Sequence, residues 1–173
     1  MTNLMMFFLE LLQLRRTPAD LPASSLLFAL LFSLNCALGA TAHAIFVTND
    51  SLLRALAAEV LLLAMLAALF WLKRAQQRFL QSATAATGAS IVMFCMAIVI
   101  GLIYQSVGAS LGPALNGFFG LMLLTLVLWF VSVLAHILRM AIGLPYWQAI
   151  LIAMAMHVLQ IALARGLSMP NAL

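Results

Sequence analysis

Charged residues fall in a few narrow bands along this chain, and the apolar runs between them predict its elements. Residues 1–16, MTNLMMFFLELLQLRR, set Asn3, Glu10 and Gln13, with Thr17 following, at helical spacing. Leu4, Phe7, Phe8, Leu11 and Leu12 fill the remaining faces. A helix of this length spans ~24 Å, short of a ~30 Å hydrocarbon core, and it ends on Arg15-Arg16. The pattern predicts an amphipathic helix lying in the headgroup plane, with the basic pair complementing its dipole. In the connection TPADLP, Thr17 and Asp20 have capping spacing with Pro18 at the first position of the turn.

Five longer apolar runs follow, predicting spans at about 23–45, 52–72, 84–106, 117–138 and 146–164. Asn49-Asp50-Ser51 opens the second span, and Lys73, Arg74 and Arg78 close it. Residues 79–138 carry no formal charge, and Gly108, Gly112, Pro113 and Asn116 supply a turn within them. Gly143-Leu144-Pro145 separates the last two spans. Ala42-His43-Ala44 has the small-x-small form of a leader cleavage site, but the apolar run before it is too long for a signal-peptide core. The expected fold class is therefore an all-α, polytopic membrane bundle: an interfacial helix over 1–17, then a five-helix domain over 18–173.

Charge then orients the spans. With the N-terminus in the cytoplasm, Arg15, Arg16, Lys73, Arg74, Arg78 and Arg139 lie inside, and only Arg54 and Arg165 lie outside. The positive-inside rule favours this N-in, C-out arrangement in the cell inner membrane. Composition agrees: 66% of residues are apolar and 7% charged, against ~45–50% and ~25% in soluble domains. The net charge of +4 is too small and too scattered for a phosphate-binding stripe, which excludes nucleic acid as a partner. Cys36 and Cys95 sit in apolar runs without a CxxC spacing and read as buried, inert thiols.

Polar groups within spans are the candidates for function. Glu59 lies about seven residues into the second span, where His43 and Arg165 share its level and Arg54 points elsewhere around the helix. It reads as a cation- or proton-responsive carboxylate or, more simply, as one kept wet at the outer interface and paired structurally. His157 and Gln160, one turn apart on the fifth span, are candidate ligands or interhelical hydrogen-bonding groups, the latter favoured. Thr125, Ser132, His136 and Arg139 form a stripe on the fourth span that could line a cavity, bind a lipid headgroup or face the bundle interior. Arg15, Arg16, Lys73, Arg74, Arg78, His136 and Arg139 are the candidate contacts for lipid or a partner. Small residues mark possible close approaches at Cys36/Ala40, Gly39/His43, Ala97/Gly101, Tyr104/Gly108 and Gly117/Gly120. Trp71, Trp129, Tyr146 and Trp147 suggest an aromatic belt, with Trp129 about two turns too deep.

Several chemistries lack their residues. Neither metal-ligand spacing nor HExxH nor a Gly-rich phosphate loop occurs, and Asp20 and Asp50 fall at opposite ends for any Ser/His/Asp arrangement. No catalytic residue, metal or cofactor is expected. A faint internal echo is present: Arg78-Phe79-Leu80-Gln81 and Pro145-Tyr146-Trp147-Gln148 each open a small-residue helix, SATAATGAS and AILIAMAM. With the N-terminal helix, the LRRTPADLPAS linker and five spans, the chain resembles the bacterial branch of the Yip-type family. These are five-helix membrane proteins named from eukaryotic Rab-GTPase-interacting relatives. The eukaryotic Asp-Leu-Tyr-Gly-Pro motif and long polar N-terminal region are absent. The resemblance implies a non-enzymatic membrane protein acting through partners, and it carries over no functional residues. The expected role is a scaffold or accessory subunit whose partners are the bilayer and proteins in the membrane or at its cytoplasmic face. The alternative is a small transporter or channel subunit using Glu59, His157 and the fourth-span stripe.

Overall fold

A computed structural model describes residues 4–46, 52–107 and 113–166, with side chains described over 4–46, 56–106 and 116–162. The described residues form six α-helices: α1 (Leu4–Leu12), α2 (Ser25–Phe46), α3 (Leu52–Leu72), α4 (Phe79–Val107), α5 (Pro113–Ile142) and α6 (Tyr146–Gly166). The described residues contain no strand. The segments 25–46, 76–106 and 116–142 are long and apolar enough to cross a membrane. The expected starter Asn49-Asp50-Ser51 and the turn residues Gly108 and Gly112 lie outside the described residues.

The helix ends follow from local chemistry. Ser24 Oγ accepts the Leu27 N–H at 3.2 Å and caps α2. Asp20 Oδ2 accepts both the Thr17 N–H and its hydroxyl at 3.1 Å, so the expected pairing closes a 3₁₀ turn over Pro18–Asp20. Helices α1 and α3 stop in the same way. Beyond α1, Arg15 N–H reaches Glu10 O and Leu14 N–H reaches Leu11 O, both at 2.9 Å. Beyond α3, Ala75 N–H reaches Phe70 O at 2.9 Å and Arg74 N–H reaches Trp71 O at 3.0 Å. These are paired Schellman closures, and they put Leu14 at φ 60° and Arg74 at φ 53°, where glycine is the usual occupant. A 3₁₀ turn then redirects the chain in both cases. After α5 the corresponding position is Gly143, at φ 69°.

A side chain at positive φ costs about 1–2 kcal/mol that glycine avoids. Leu14→Gly is therefore expected to raise the midpoint of thermal unfolding, and Leu14→Val to lower it. Equal midpoints for the two variants would show that the left-handed turn carries no strain.

The five long helices close into a ring. Helix α4 packs along α2 and against α5, α5 against α6, α6 against α3, and α3 back against α2. Their inward faces have regular spacing: Asn35, Gly39 and Ala42 on α2; Glu59, Leu62, Leu66 and Phe70 on α3; Ala149, Ala153, Met156 and Gln160 on α6. Residues 82–90 of α4, SATAATGAS, are all buried, because small side chains let several neighbours approach one helix. With residues 130–141 of α5, they concentrate the core at the end where α3 and α5 finish. That end carries Arg15, Arg16, Lys73, Arg74, Arg78 and Arg139 and is termed here the basic end. Arg78 Nη1 donates to Ala141 O at 3.0 Å and satisfies a carbonyl of the last turn of α5.

One expectation about packing holds and two change. Gly39 and Gly101 do sit at close approaches: a Cβ on them would meet Phe94 at 3.2 Å and Ile45 at 2.6 Å. Gly117 and Gly120, in contrast, have nothing within 4 Å, so that face of α5 is not a helix contact within this chain. Cys95 is exposed and Cys36 half-buried, so neither is the buried thiol expected.

Candidate functional site

Helix α1 and the segment after it lie against α4 and α5, and the fourth-span stripe explains why. Trp129 Nε1 donates to Leu12 O at 3.0 Å, and His136 Nε2 lies 3.0 Å from Arg16 O. These two residues are seven apart on α5 and so share one face. Gln81 Nε2 on α4 donates to Leu21 O at 2.7 Å. Three side chains from two helices thus hold the backbone of residues 12–21 at the Leu12, Arg16 and Leu21 carbonyls, which the short 3₁₀ turn between them does not engage. Trp129, two turns too deep for an aromatic belt, is placed by this hydrogen bond. Thr125 and Ser132 bond back to Leu121 O and Leu128 O of their own helix, at 2.8 and 2.9 Å.

The inner face of α1 meets protein. Phe7, Phe8, Leu11 and Leu12 are buried, and the Phe8 ring occupies the place a side chain at Gly88 would take. Its outer face, Met5, Met6 and Leu9, is exposed and apolar. The predicted polar stripe is largely consumed internally: Arg16 Nε donates to Glu10 Oε2 at 2.6 Å. Glu10 in turn raises the Arg16 guanidinium above its ordinary pKa through that hydrogen bond and its charge.

The other candidate contacts divide. Arg139 lies over the Tyr146 ring, 5.9 Å from its centroid. Arg16, Arg78 and His136 are engaged within the chain as described. Arg15, Lys73 and Arg74 are exposed, and their side chains form no hydrogen bond or ion pair among the described residues. Beside them, Ala67, Ala68, Phe70, Trp71, Gln76 and Phe79 line an open apolar groove.

Glu59 is buried, and its partner is Asn35 of α2, which donates from Nδ2 to Glu59 Oε2 at 2.5 Å. Sequence reasoning looked to His43 and Arg165 and passed over Asn35. The side chains of Arg54 and Arg165 lie outside the described residues. Gln160 of α6 donates to Ala58 O at 2.9 Å, so α2 and α6 address successive residues of α3. His157 stands edge-on to Phe130, 6.2 Å between centroids, with Nδ1 unpartnered. The structure therefore joins Glu59 and Gln160 through α3 and brings in Asn35. No group of three or more His, Cys, Asp and Glu side chains gathers at metal-binding distance among the described residues.

The architecture defines an all-α helical bundle, and its three long apolar helices suggest a membrane protein. No family model, curated protein or solved structure matches the chain.

Proposed function

We propose that the protein is a non-catalytic multi-pass membrane protein, a scaffold or accessory subunit that presents its basic end to a partner. In this reading α2 to α6 are five spans, the basic end faces the cytoplasm, and the C-terminus lies outside. The gathering of six of the eight basic residues at one end supports that orientation. Helix α1 then lies at the membrane edge, apolar toward both lipid and bundle. The observation that carries the functional reading is the state of the cations. Arg16, Arg78 and Arg139 are engaged in holding the end together, whereas the side chains of Arg15, Lys73 and Arg74 are exposed with no partner among the described residues. A rigid surface with three free cations fits an acidic protein face presented at the membrane.

Affinity isolation from membranes in mild detergent tests this. Wild-type protein is expected to co-purify a partner, and Lys73→Glu/Arg74→Glu is expected to lose it at unchanged expression and unfolding temperature. Retention of the same partner by the charge-reversed protein would overturn the reading. Orientation is checked separately with single cysteines at Ala75 and Gln148. Both are expected to react with an impermeant maleimide only from the cytoplasmic side.

A further inference from the structure

The interior cluster holds an imbalance that the basic-end reading leaves unused. Asn35 is 1% exposed, and Glu59 and Gln160 are 8% exposed. Each amide commits its NH₂ group to α3, Asn35 to the Glu59 carboxylate and Gln160 to the Ala58 carbonyl. Their oxygens, Asn35 Oδ1 and Gln160 Oε1, have no partner. Turning either amide over does not help, because it would set oxygen against the carboxylate or the carbonyl. The unmet groups are thus two amide oxygens and a carboxylate with one donor, beside the buried Nδ1 of His157. No salt bridge to Glu59 forms among the described residues. His157, one turn before Gln160 on α6, is the titratable neighbour on that helix. A buried acceptor left without a donor is costly, and a buried charge without a counter-charge is more so.

We propose that Glu59, Asn35 and Gln160 form a binding site for one monovalent hard cation of the sodium class. Carboxylate and amide oxygens are the ligands such an ion takes, and a single formal negative charge balances a single positive one. A divalent ion of the calcium type is normally held by several carboxylates. Asn35 Oδ1 shares its carbon with the nitrogen that touches Glu59, so both oxygens lie within reach of one ion. Gln160, whose amide is bonded beside Glu59 at Ala58, would supply the third oxygen from α6, so that the ion ties α2, α3 and α6 together.

The test uses the full-length protein in mild detergent, with sodium chloride exchanged for N-methylglucamine chloride at constant ionic strength. A ligand that binds only the folded state raises the unfolding midpoint, here by roughly 2–8 °C at saturation. The rise is expected to saturate with sodium and to vanish in Glu59→Gln. In Gln160→Leu the sodium needed for half the rise is expected to increase about tenfold, a loss of about 1.4 kcal/mol in affinity. That variant keeps the carboxylate and serves if Glu59→Gln does not fold. Equilibrium binding of radiolabelled sodium should saturate at one ion per chain. A wild-type midpoint indifferent to sodium overturns the proposal and leaves water or a proton as the occupant. A sodium-dependent rise that survives in Glu59→Gln overturns it as well. Partner capture by the basic end is a separate readout, so either idea can fail alone.

Discussion

Gly88→Leu is expected to detach α1 from the bundle. A Cβ at Gly88 would fall on the Phe8 ring, and residues 82–90 of α4 are buried on every side, so α4 has little room to shift. Overpacking of this kind costs about 1–3 kcal/mol. Helix α1 has nine residues and is too short to hold helical structure alone, so it depends on the docked face. Leu11, fully buried against the core, reports the change. With Cys36 and Cys95 replaced by serine, Leu11→Cys should be inert to a maleimide in the otherwise native protein and reactive in Gly88→Leu. Phe8→Ala vacates the space the leucine needs, so Gly88→Leu/Phe8→Ala should recover protection and unfold at a higher temperature than Gly88→Leu alone. Contacting residues couple in this non-additive way. Strict additivity, or an unreactive Leu11→Cys in Gly88→Leu, would show that the ring and the glycine do not determine docking.

This contact also shows where sequence reading stops. Charge spacing located α2 and α3 to within two residues at their described ends, because in so apolar a chain each charged residue marks a boundary. Helix α4 begins five residues before the expected span. Its opening turns, Phe79 to Ala83, hold Gln81 and Ser82, which look like linker but are sheltered by neighbouring chain. The α1 pattern was visible, yet periodicity cannot tell whether an apolar face meets lipid or protein. Only the smallness of SATAATGAS hinted that something lies against it. Trp129 and His136 were noticed as a deep aromatic and a polar stripe. Their common purpose needed the partner carbonyls of residues 12 and 16, over a hundred positions away in the chain.

Glu59 illustrates the other limit. Counting residues gives depth along a helix, and on depth alone His43 and Arg165 were reasonable partners. Among the described residues, direction around the axis brings in Asn35. Leu62, Leu66 and Phe70 share the inward face of α3, and Glu59 lies on the same face one turn earlier. Asn35 carries no charge and was passed over, although Gly39 and Ala42 on its face form the small-residue strip that lets α2 approach. A lone amide in the middle of a span is the signal to look for next to any buried carboxylate.

Asn35→Leu should accordingly destabilise the protein more than removing Asn35 and Glu59 together. The single change leaves a buried carboxylate without the one donor it has in the described structure, and an orphaned polar group costs about 1–3 kcal/mol, more when charged. Interhelical hydrogen bonds in bilayers are individually modest, about 0.6 kcal/mol on average, so the cost comes from the group left behind rather than from the bond lost. Asn35→Leu/Glu59→Leu removes both groups and offers apolar volume in their place, which a bundle interior accepts. Thermal unfolding in one detergent and one salt should therefore rank the proteins as wild type, then the double variant, then Asn35→Leu, with Asn35→Asp lowest. The aspartate sets two carboxylates face to face across the gap between α2 and α3, and like charges at that range repel strongly. A double variant less stable than Asn35→Leu would mean that Glu59 contributes through a partner other than Asn35.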